Sequence, residues 1–454
     1  MTVAAARLTR AVGRVLLAAA CHAAGATAVP AQDWPQWRGP GSQGISPESG
    51  LPTSWSRSEN VAWSAPLAGQ GTSSPIVWGD RVIVTSQVGG SARAGRGPHP
   101  RLARDDEALV ARERPLGGGD PDAAAAKVWL VVEAFSRVDG RRLWEHRAEA
   151  AGPLPDVHEK HNLATPTPVT DGRRVYAWFG NGQLVTLDMD GRLVWARHLG
   201  LDYAPFQTSW GHGSSPALHD GLLILLCDHL GASYLLALDA ETGRQRWKAD
   251  RGARRVSHST PVVVSGKAGD ELIVNSSLRV DAYDPASGEL LWHLGSPRQT
   301  PVPSAVSHDG LVFLSRGYRN SDYMAIRSGG RGDVSATHVE WRAPSGASYV
   351  PSVVQHLGLV YLTNEVGVVT CADARTGETV WRHRLPGVFF ASPVAGDGKV
   401  YFTSETGETF VLEAGRRARL LATNDLGERF LASPAISRAR IFLRGDRRLV
   451  AVGR

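Results

Sequence analysis

A glycine followed four residues later by a tryptophan recurs through the chain, and each such pair closes a stretch with the same pattern. The pairs are Gly140/Trp144, Gly191/Trp195, Gly243/Trp247, Gly288/Trp292 and Gly377/Trp381. The glycine suits a hairpin turn that needs positive φ, and the Asp-x-x-Thr/Ser sequence before it can hydrogen-bond to its own backbone. The pattern therefore predicts a strand, a turn and a second strand that carries the tryptophan.

A second signature, Ser-Pro or Thr-Pro before a short apolar strand and a glycine turn, precedes these hairpins. It occurs at Ser74-Pro75, Thr167-Pro168, Ser215-Pro216, Thr260-Pro261, Ser392-Pro393 and Ser433-Pro434, and in degenerate form at Pro303-Ser304 and Pro351-Ser352. The anchor prolines lie 48 residues apart from Pro168 to Pro216 and 45 from Pro216 to Pro261. A four-stranded unit of this length, repeated head to tail, is typical of a propeller blade. The eight anchors predict an all-β fold, an eight-bladed β-propeller of four-stranded antiparallel blades.

The two ends of the chain indicate how the ring closes. After the last anchor there is room for only three strands, near residues 431–437, 440–444 and 448–452. The missing fourth strand is found near the start, where residues 60–67 carry Trp63 and precede the first anchor. We therefore predict that this N-terminal strand pairs with residues 448–452 and closes the last blade, which covers an otherwise open sheet edge. The propeller is then predicted to span residues 60–454.

Tryptophans of the repeat are expected to dock each blade on its neighbour. The predicted docking residues are Trp63, Trp144, Trp195, Trp247, Trp292, Trp341 and Trp381. Two segments depart from the repeat: residues 32–59 read as an N-terminal extension, and residues 87–126 read as a Gly-, Ala-, Arg- and Pro-rich loop inserted in the first blade. Trp34 lies outside the repeat, so its loss is expected to cost less stability than the loss of a repeat tryptophan.

Residues 1–31 have the order of a secretory signal peptide: arginines, a short apolar run, then small residues, with a predicted cleavage site after Ala31. The alternatives are a buried N-terminal helix and lipid attachment at Cys21, for which the usual leucine stands one place too early, at Leu17. Cleavage removes three arginines and lowers the formal charge from +6 to +3. The mature chain is then expected to be periplasmic or secreted, without a transmembrane segment, and its scattered arginines predict no nucleic-acid partner.

Candidate binding residues stand just before the innermost strands or in inner loops, which open onto the central channel of a propeller. They are His158, His161, Asn162, Trp210, His212, Asp228, His258, Arg319, Tyr349, Asn364, Glu365 and Phe390. Histidines and aromatic rings at one mouth of a ring predict a ligand site. The alternative is that these side chains cap backbone groups or line a hydrated channel, and their spacing matches no dedicated metal motif. No metal is predicted. The remaining Cys227 and Cys371 are expected to be buried free thiols.

The Ser-Pro anchors, the Ala-x-Asp-x-x-Thr-Gly-x-x-x-Trp hairpins and the eight units closed by an N-terminal strand resemble the pyrroloquinoline quinone (PQQ) repeat propellers. That superfamily includes quinoprotein alcohol dehydrogenases and the outer-membrane β-barrel assembly propeller. The opening Asp33–Pro40 resembles exported bacterial members of planctomycete type. The resemblance covers residues 33–454 and implies the propeller fold; it does not by itself imply an activity.

Two functions follow from this resemblance. The first is an exported, non-catalytic scaffold, favoured as a monomer, that binds an envelope or secreted protein, or a small ligand, at the channel-mouth face. The second is a PQQ-dependent or other cofactor-using oxidoreductase, for which the resemblance implies a calcium-bound quinone, an acidic base and usually a disulfide between adjacent cysteines. The chain has no adjacent cysteines and no residue-by-residue match to the calcium-ligand or base motifs. The scaffold is therefore the leading hypothesis, no catalytic residue is assigned, and no cofactor is predicted.

Overall fold

The computed structural model describes residues 33–90, 127–155, 157–158, 160–208, 210–253, 255–266, 269–295, 301–317 and 322–453. Its strands form eight sheets, each built on four antiparallel strands and one with a short fifth strand, arranged as an eight-bladed β-propeller. The all-β, eight-bladed prediction is confirmed. Within the described residues the only helical elements are a 3-10 turn at Pro40–Ser42 and a single helical turn, α1, at Leu199–Asp202.

The blades follow one another along the chain, and the strands of each blade run in order from the innermost outward. Blade 1 contains β2 (Ile76–Trp78), β3 (Arg81–Val88), β4 (Trp129–Ser136) and β5 (Arg142–Glu149). Blade 2 contains β6 (Val169–Thr170), β7 (Arg174–Trp178), β8 (Gln183–Asp188) and β9 (Leu193–His198). Blade 3 contains β10 (Ala217–His219), β11 (Leu222–Cys227), β12 (Ala232–Asp239) and β13 (Gln245–Ala253). Blade 4 contains β14 (Val262–Gly266), β15 (Gly269–Ser276), β16 (Arg279–Tyr283) and β17 (Leu290–Gly295).

The second half of the ring repeats this arrangement. Blade 5 contains β18 (Val306–His308), β19 (Leu311–Ser315), β20 (Tyr323–Arg327) and β22 (Val339–Ala343). Blade 6 contains β23 (Val354–His356), β24 (Leu359–Thr363), β25 (Val368–Asp373) and β26 (Thr379–Arg384). Blade 7 contains β27 (Val394–Gly396), β28 (Lys399–Thr403), β29 (Glu408–Glu413) and β30 (Leu420–Asp425). Blade 8 contains β31 (Ala435–Ser437), β32 (Arg440–Arg444), β33 (Arg448–Val452) and the N-terminal strand β1 (Val61–Pro66).

The closing strand of blade 8 comes from the start of the chain, as predicted. Strand β1 pairs antiparallel with β33, and the register places Val61 opposite Val452 and Trp63 opposite Ala451. The Trp63 ring packs 5.9 Å from Phe442, centroid to centroid. The last blade thus acquires its fourth strand only when the two ends of the chain meet, and the sheet edge beyond β33 is covered.

A chain of hydrogen bonds links the anchor residues around the channel. In each link the backbone N–H of one anchor donates to the hydroxyl of the anchor in the next blade, at 2.7 to 3.0 Å. The residues in order are Ser74, Thr167, Ser215, Thr260, Ser304, Ser352, Ser392 and Ser433. This chain explains why Ser or Thr recurs at this position: the hydroxyl satisfies a backbone donor that is buried between blades. The two degenerate anchors accept the same hydrogen bond, through the hydroxyls of Ser304 and Ser352.

The tryptophan of one blade packs on the turn glycine of the next blade. The indole Nε1–H of six repeat tryptophans donates to a backbone carbonyl in the neighbouring turn, at 2.9 to 3.2 Å. At Gly288, a Cβ atom would lie 2.5 Å from the Trp247 ring, and the residue has a φ of +75°. Glycine is therefore required twice over, for the turn and for the close approach of the ring.

Blade 4 departs from this docking scheme. Trp292 is fully buried, but its Nε1 has no hydrogen-bond partner. A longer turn in blade 5 carries the two-residue strand β21 (Gly332–Asp333), which pairs parallel with β17 at Trp292 and His293. The same turn places Val334 in the core cluster around Trp292. The enlarged hairpin thus covers Trp292 with apolar and strand contacts in place of a glycine turn.

The N-terminal extension crosses the face of the ring formed by the turns between first and second strands. Trp34 bridges to Val77 in blade 1, and Ser46 donates to the Ala395 carbonyl in blade 7. Arg38 is fully buried and donates to the carbonyls of Val353 and Pro393. Burial lowers the Arg38 pKa to about 9. The segment is therefore packed across this end of the channel, which we call the lower face.

Two expectations about the extension and the insertion change in the structure. Trp34 is only 1% exposed and belongs to the core cluster shared by blades 1, 7 and 8. We therefore revise the expectation that its loss costs less stability than the loss of a repeat tryptophan, and expect a similar cost. Strand β3 continues through Gln87 and Val88, so the predicted loop begins later than residue 87. Residues 91–126 and the predicted signal peptide lie outside the described residues and stay predictions.

Candidate functional site at the channel mouth

The loops that precede each innermost strand lie on the same face as the turns between second and third strands, because neighbouring strands of a blade are antiparallel. We call this the upper face. The loop before β6 carries His158, His161 and Asn162, and the loop before β10 carries Trp210 and His212. His258 lies before β14. The structure thus brings the predicted residues of blades 2, 3 and 4 to one side of the mouth.

His158 and Trp210 form the exposed part of this group. Their rings stack with a centroid distance of 4.5 Å, and the His158 backbone N–H donates to the Trp210 carbonyl at 3.2 Å. Trp210 remains 42% exposed, which is unusual for so large an apolar side chain. The stack therefore presents an aromatic surface to solvent on the upper face.

Behind this stack lie three histidines, one buried and two half-buried. His212 is 1% exposed and packs 4.4 Å from Trp178 and 5.2 Å from Phe206, ring centroid to ring centroid. His161 and His258 are half-buried, with rings 5.8 Å apart. Burial lowers the pKa of His161 to about 3 and that of His258 to about 4, and it lowers the His212 pKa strongly. All three imidazoles are therefore neutral near pH 7.

An ion pair reaches across the mouth from blade 2 to blade 7. The Lys160 Nζ lies 2.7 Å from an Oε of Glu405, in the turn after β28, and 3.9 Å from the centroid of the Phe390 ring. Arg429 also binds Glu405 at 2.6 Å. Burial opposes ionisation of Glu405, but these two cations outweigh it and lower its pKa. The mouth is thus spanned by a charged bridge that involves the predicted residue Phe390.

Asp228 is held in a buried network rather than open to the mouth. Its two carboxylate oxygens accept from Arg251 Nε and Nη2 at 2.7 and 3.0 Å, and Ser276 donates to it at 2.6 Å. Arg251 also binds Asp281 at 2.9 Å. Since the side chains of Asp228 and Arg251 are fully buried, a ligand could reach the Asp228 carboxylate only by breaking this pair.

The predicted residues of blades 5 and 6 lie apart from the histidine group. The Asn364 side chain accepts from the Val368 backbone N–H at 2.8 Å and thereby holds the turn between β24 and β25. The Glu365 carbonyl accepts from Phe389 N–H, which joins this turn to the loop before β27. Tyr349 lies half-buried in the loop before β23, and Arg319 lies outside the described residues.

Two buried or half-buried carboxylates near the mouth, Asp228 and Glu405, do not fit the calcium–quinone site that the resemblance implies. Such a site needs free oxygen ligands, whereas Asp228 is bound by Arg251 and Glu405 by two cations. Cys227 and Cys371 are free and lie in blades 3 and 6. Across the described part of the chain, no group of three or more His, Cys, Asp or Glu is placed to hold a metal ion.

Comparison with known sequences identifies the family. The sequence profile PQQ_2, described as outer membrane protein assembly factor BamB, matches residues 130–383 and 365–453. This chain belongs to that BamB family. Among curated relatives, BamB of Yersinia pestis is 22% identical over 328 residues, which are 71% of this chain and 69% of that protein. BamB of Moranella endobia is 25% identical over 41% of this chain, and the serine/threonine-protein kinase AfsK of Streptomyces griseus is 28% identical over 37%.

The chain spans only part of the first of these relatives: the matches cover 46% of the Moranella protein and 15% of the kinase. Among solved structures, the quinohemoprotein alcohol dehydrogenase from Comamonas testosteroni has a TM-score of 0.65 at 12% identity and covers 93% of this chain and 81% of its own. BamB from Moraxella catarrhalis has a TM-score of 0.52 at 13% identity and covers 71% of this chain and 88% of its own. At these identities the likeness extends to the fold alone.

Sequence reasoning missed the residues that close the mouth and support the histidines. Lys160 stands in the loop that carries His158 and His161, but its partner Glu405 lies 245 residues away. Phe206 and His229 join the group as well, with rings 5.5 Å apart. Their positions before an innermost strand and after a second strand match those of the predicted residues, so the same positional criterion would have found them.

Proposed function

We propose that this protein is a non-catalytic scaffold of the bacterial cell envelope that binds a protein partner through its upper face. Membership of the family of an outer membrane protein assembly factor supports a protein-binding role. The geometry that carries the proposal is the Lys160–Glu405 bridge, which spans the mouth where a small substrate would enter a channel. A partner would therefore dock on the outside of the loops.

Exposed apolar side chains on the upper face support a docking surface of this kind. Leu154 and Trp210 lie in the loops of blades 2 and 3, Leu201 lies in α1, and Val366 lies in a turn of blade 6; each is between 42% and 60% exposed. A Cβ atom at Gly152 would lie 3.3 Å from the Leu201 side chain, so the blade 2 loop and α1 are in contact. Leu154, Leu201 and Trp210 lie on neighbouring loops, and exposed aromatic and aliphatic residues grouped in this way are typical of protein interfaces. Val366 lies on the far side of the ring, in blade 6.

The envelope location rests on the N-terminal sequence and on the family. Residues 1–31 have the order of a secretory signal peptide. No helix in the described ranges is long and apolar enough to span a membrane. Fractionation of cells that express the full chain is expected to place it in the envelope fraction, shortened at its N-terminus. Recovery of the uncleaved chain in the cytoplasm would contradict the proposed location.

The docking surface is tested by photo-crosslinking in the native cell envelope. A photoreactive residue in place of Leu201 or Trp210 is expected to give a discrete crosslinked protein. The matched control is the same residue at Leu357, which is 66% exposed on a turn between first and second strands, on the lower face. Crosslinking at Leu357 but at neither upper position would place the partner on the lower face and contradict the proposed docking surface.

The alternative, a quinone-dependent oxidoreductase, is tested on the same protein. The purified chain is incubated with PQQ and calcium, and dye reduction is measured with alcohols and sugars as donors. We expect no reduction above a protein-free control. Dye reduction that requires quinone, calcium and the protein together would replace the scaffold proposal with the enzyme.

A further inference from the structure

Two buried histidines in blade 3 pack against one phenylalanine. Phe206, in the loop before β10, lies 5.2 Å from His212 and 5.5 Å from His229 between ring centroids. His212 is 1% exposed and His229 is 2% exposed, and the Nε2 atom of each is buried without a partner. A neutral imidazole tolerates this surrounding, whereas an imidazolium there would be a buried charge without a counter-ion.

The charged groups around this pair do not offer such a counter-ion. Burial lowers the His229 pKa even though the charge of the neighbouring Asp228 raises it, because the Asp228 carboxylate is already bound by Arg251 and Ser276. His212 faces His161, His229 and His258, each of which would repel it when protonated. Lys160, in the neighbouring loop, is cationic and already paired with Glu405. The other ring in contact with His212 is Trp178, and Tyr234 lies 6.5 Å from His229 between ring centroids. Burial raises the pKa of the Tyr234 phenol, so it offers no negative charge either.

The same residues fasten the loop that presents the docking surface. The loop before β10 runs from Tyr203 through Phe206 to His212 and carries the exposed Trp210 two residues before His212. It is tied to the His229 turn by a hydrogen bond from Leu230 N–H to the Gln207 carbonyl, at 2.9 Å. Loss of the packing around Phe206 would therefore free the segment that holds Trp210.

We propose that His212 and His229 form an acid-sensitive latch: below about pH 6, protonation of the two imidazoles releases the Phe206 loop and dismantles the upper docking surface. This regulation rests on the proposed function, since the released loop matters only if a partner docks there. The sign follows from linkage. Burial lowers the pKa of both histidines in the closed state, so the open state binds more protons and gains population as the pH falls below the free value of about 6.5.

The size of the effect follows from the free histidine pKa. At pH 5, a histidine that titrates only in the open state multiplies the open population by about 30. His212, whose pKa burial lowers strongly, supplies this factor, and His229, whose pKa burial also lowers, adds to it in the same direction. The Leu230 amide reports this opening directly, because its hydrogen bond to Gln207 breaks when the loop leaves. We expect its exchange protection, corrected for the intrinsic rate, to fall by about 30-fold or more from pH 7.5 to pH 5.

Two variants test whether the histidines cause the change. In His212→Phe, an apolar ring replaces the imidazole between Trp178 and Phe206; in His229→Asn, the amide oxygen takes over the bond that Nδ1 accepts from Gly231 N–H at 3.0 Å. His212→Phe is expected to remove about 30-fold from the loss of protection, and His229→Asn is expected to reduce the loss as well. His308→Gln, which alters a half-exposed histidine in blade 5, should respond like the wild type. A wild-type loop that stays protected at pH 5, or variants that open as readily, would overturn the latch.

The measurement is made on the free protein, so it does not depend on the partner. Crosslinking at Leu201 and Trp210 is then repeated at pH 7.5 and pH 5. Crosslinks at both pH values with a protected loop refute the latch and leave the docking proposal standing. Loop opening without crosslinks at either pH supports the latch and refutes the docking proposal. If the crosslinks form at pH 7.5 and disappear at pH 5 along with the exchange protection of the Leu230 amide, both the latch and the docking proposal are supported.

Discussion

Replacing Gly288 by alanine tests the blade-to-blade docking most directly. The substitution places a Cβ atom 2.5 Å from Cε3 of Trp247, at a residue whose φ is +75°. Two costs follow: the left-handed conformation costs an alanine about 1–2 kcal/mol, and overpacking against the ring costs about 1–3 kcal/mol more. We therefore expect the free energy of unfolding to fall by about 2–5 kcal/mol.

Gly221 provides the matched control, because it has the same φ of +75° and no atom within 4 Å of a Cβ placed there. Gly221→Ala should cost only the conformational part, about 1–2 kcal/mol. The assay is equilibrium unfolding in urea followed by far-UV circular dichroism. In a Trp247→Ala background, the additional loss of unfolding free energy in Gly288→Ala should largely disappear, because the ring that the new Cβ atom would contact is absent. Equal losses for the two glycine variants, in both backgrounds, would refute the docking geometry.

Four other outcomes are expected. Cysteines at Val61 and Val452, which face each other between β1 and β33, should form a disulfide on mild oxidation and raise stability by about 2–4 kcal/mol; thiols that stay free in the folded protein would contradict the ring closure. Trp34→Ala should cost about 3–5 kcal/mol in urea unfolding, as much as a repeat tryptophan, because the side chain is 1% exposed. Ser352→Ala should cost about 1–3 kcal/mol, because the buried Ser304 N–H loses its acceptor, and a neutral result would remove the anchor chain as a source of stability. Brief proteolysis should cut first within residues 91–126, and cleavage elsewhere would contradict the predicted loop.

The candidate site was only partly within reach of sequence reasoning. The positions before innermost strands indicated His158, His161, Trp210, His212 and His258, and these do lie on one side of the mouth. The partners of these residues were not predictable. Glu405 and Lys160 are separated by 245 residues, and no periodic pattern marks a loop charge for pairing.

What the sequence determined by itself is the repeat and its closure. Turn glycines and strand-length apolar runs are local requirements of a hairpin, and the anchor hydroxyl is needed at the same place in each blade, so these signals recur along the chain and can be counted. Trp63, at the opposite end of the chain from the strand it pairs with, marked the closing strand and placed it correctly.

Only the tertiary structure decided how the units meet. Trp247 packs on Gly288 of the next blade rather than on the glycine of its own hairpin, because the ring geometry brings the outer strand of one blade against the turn of the following one. Arg38 is buried across the lower channel, and Asp228 is tied to Arg251, through contacts between parts of the ring that are remote in sequence. Burial, charge pairing and the neutral state of His212 arise from those neighbours, which a local pattern does not specify.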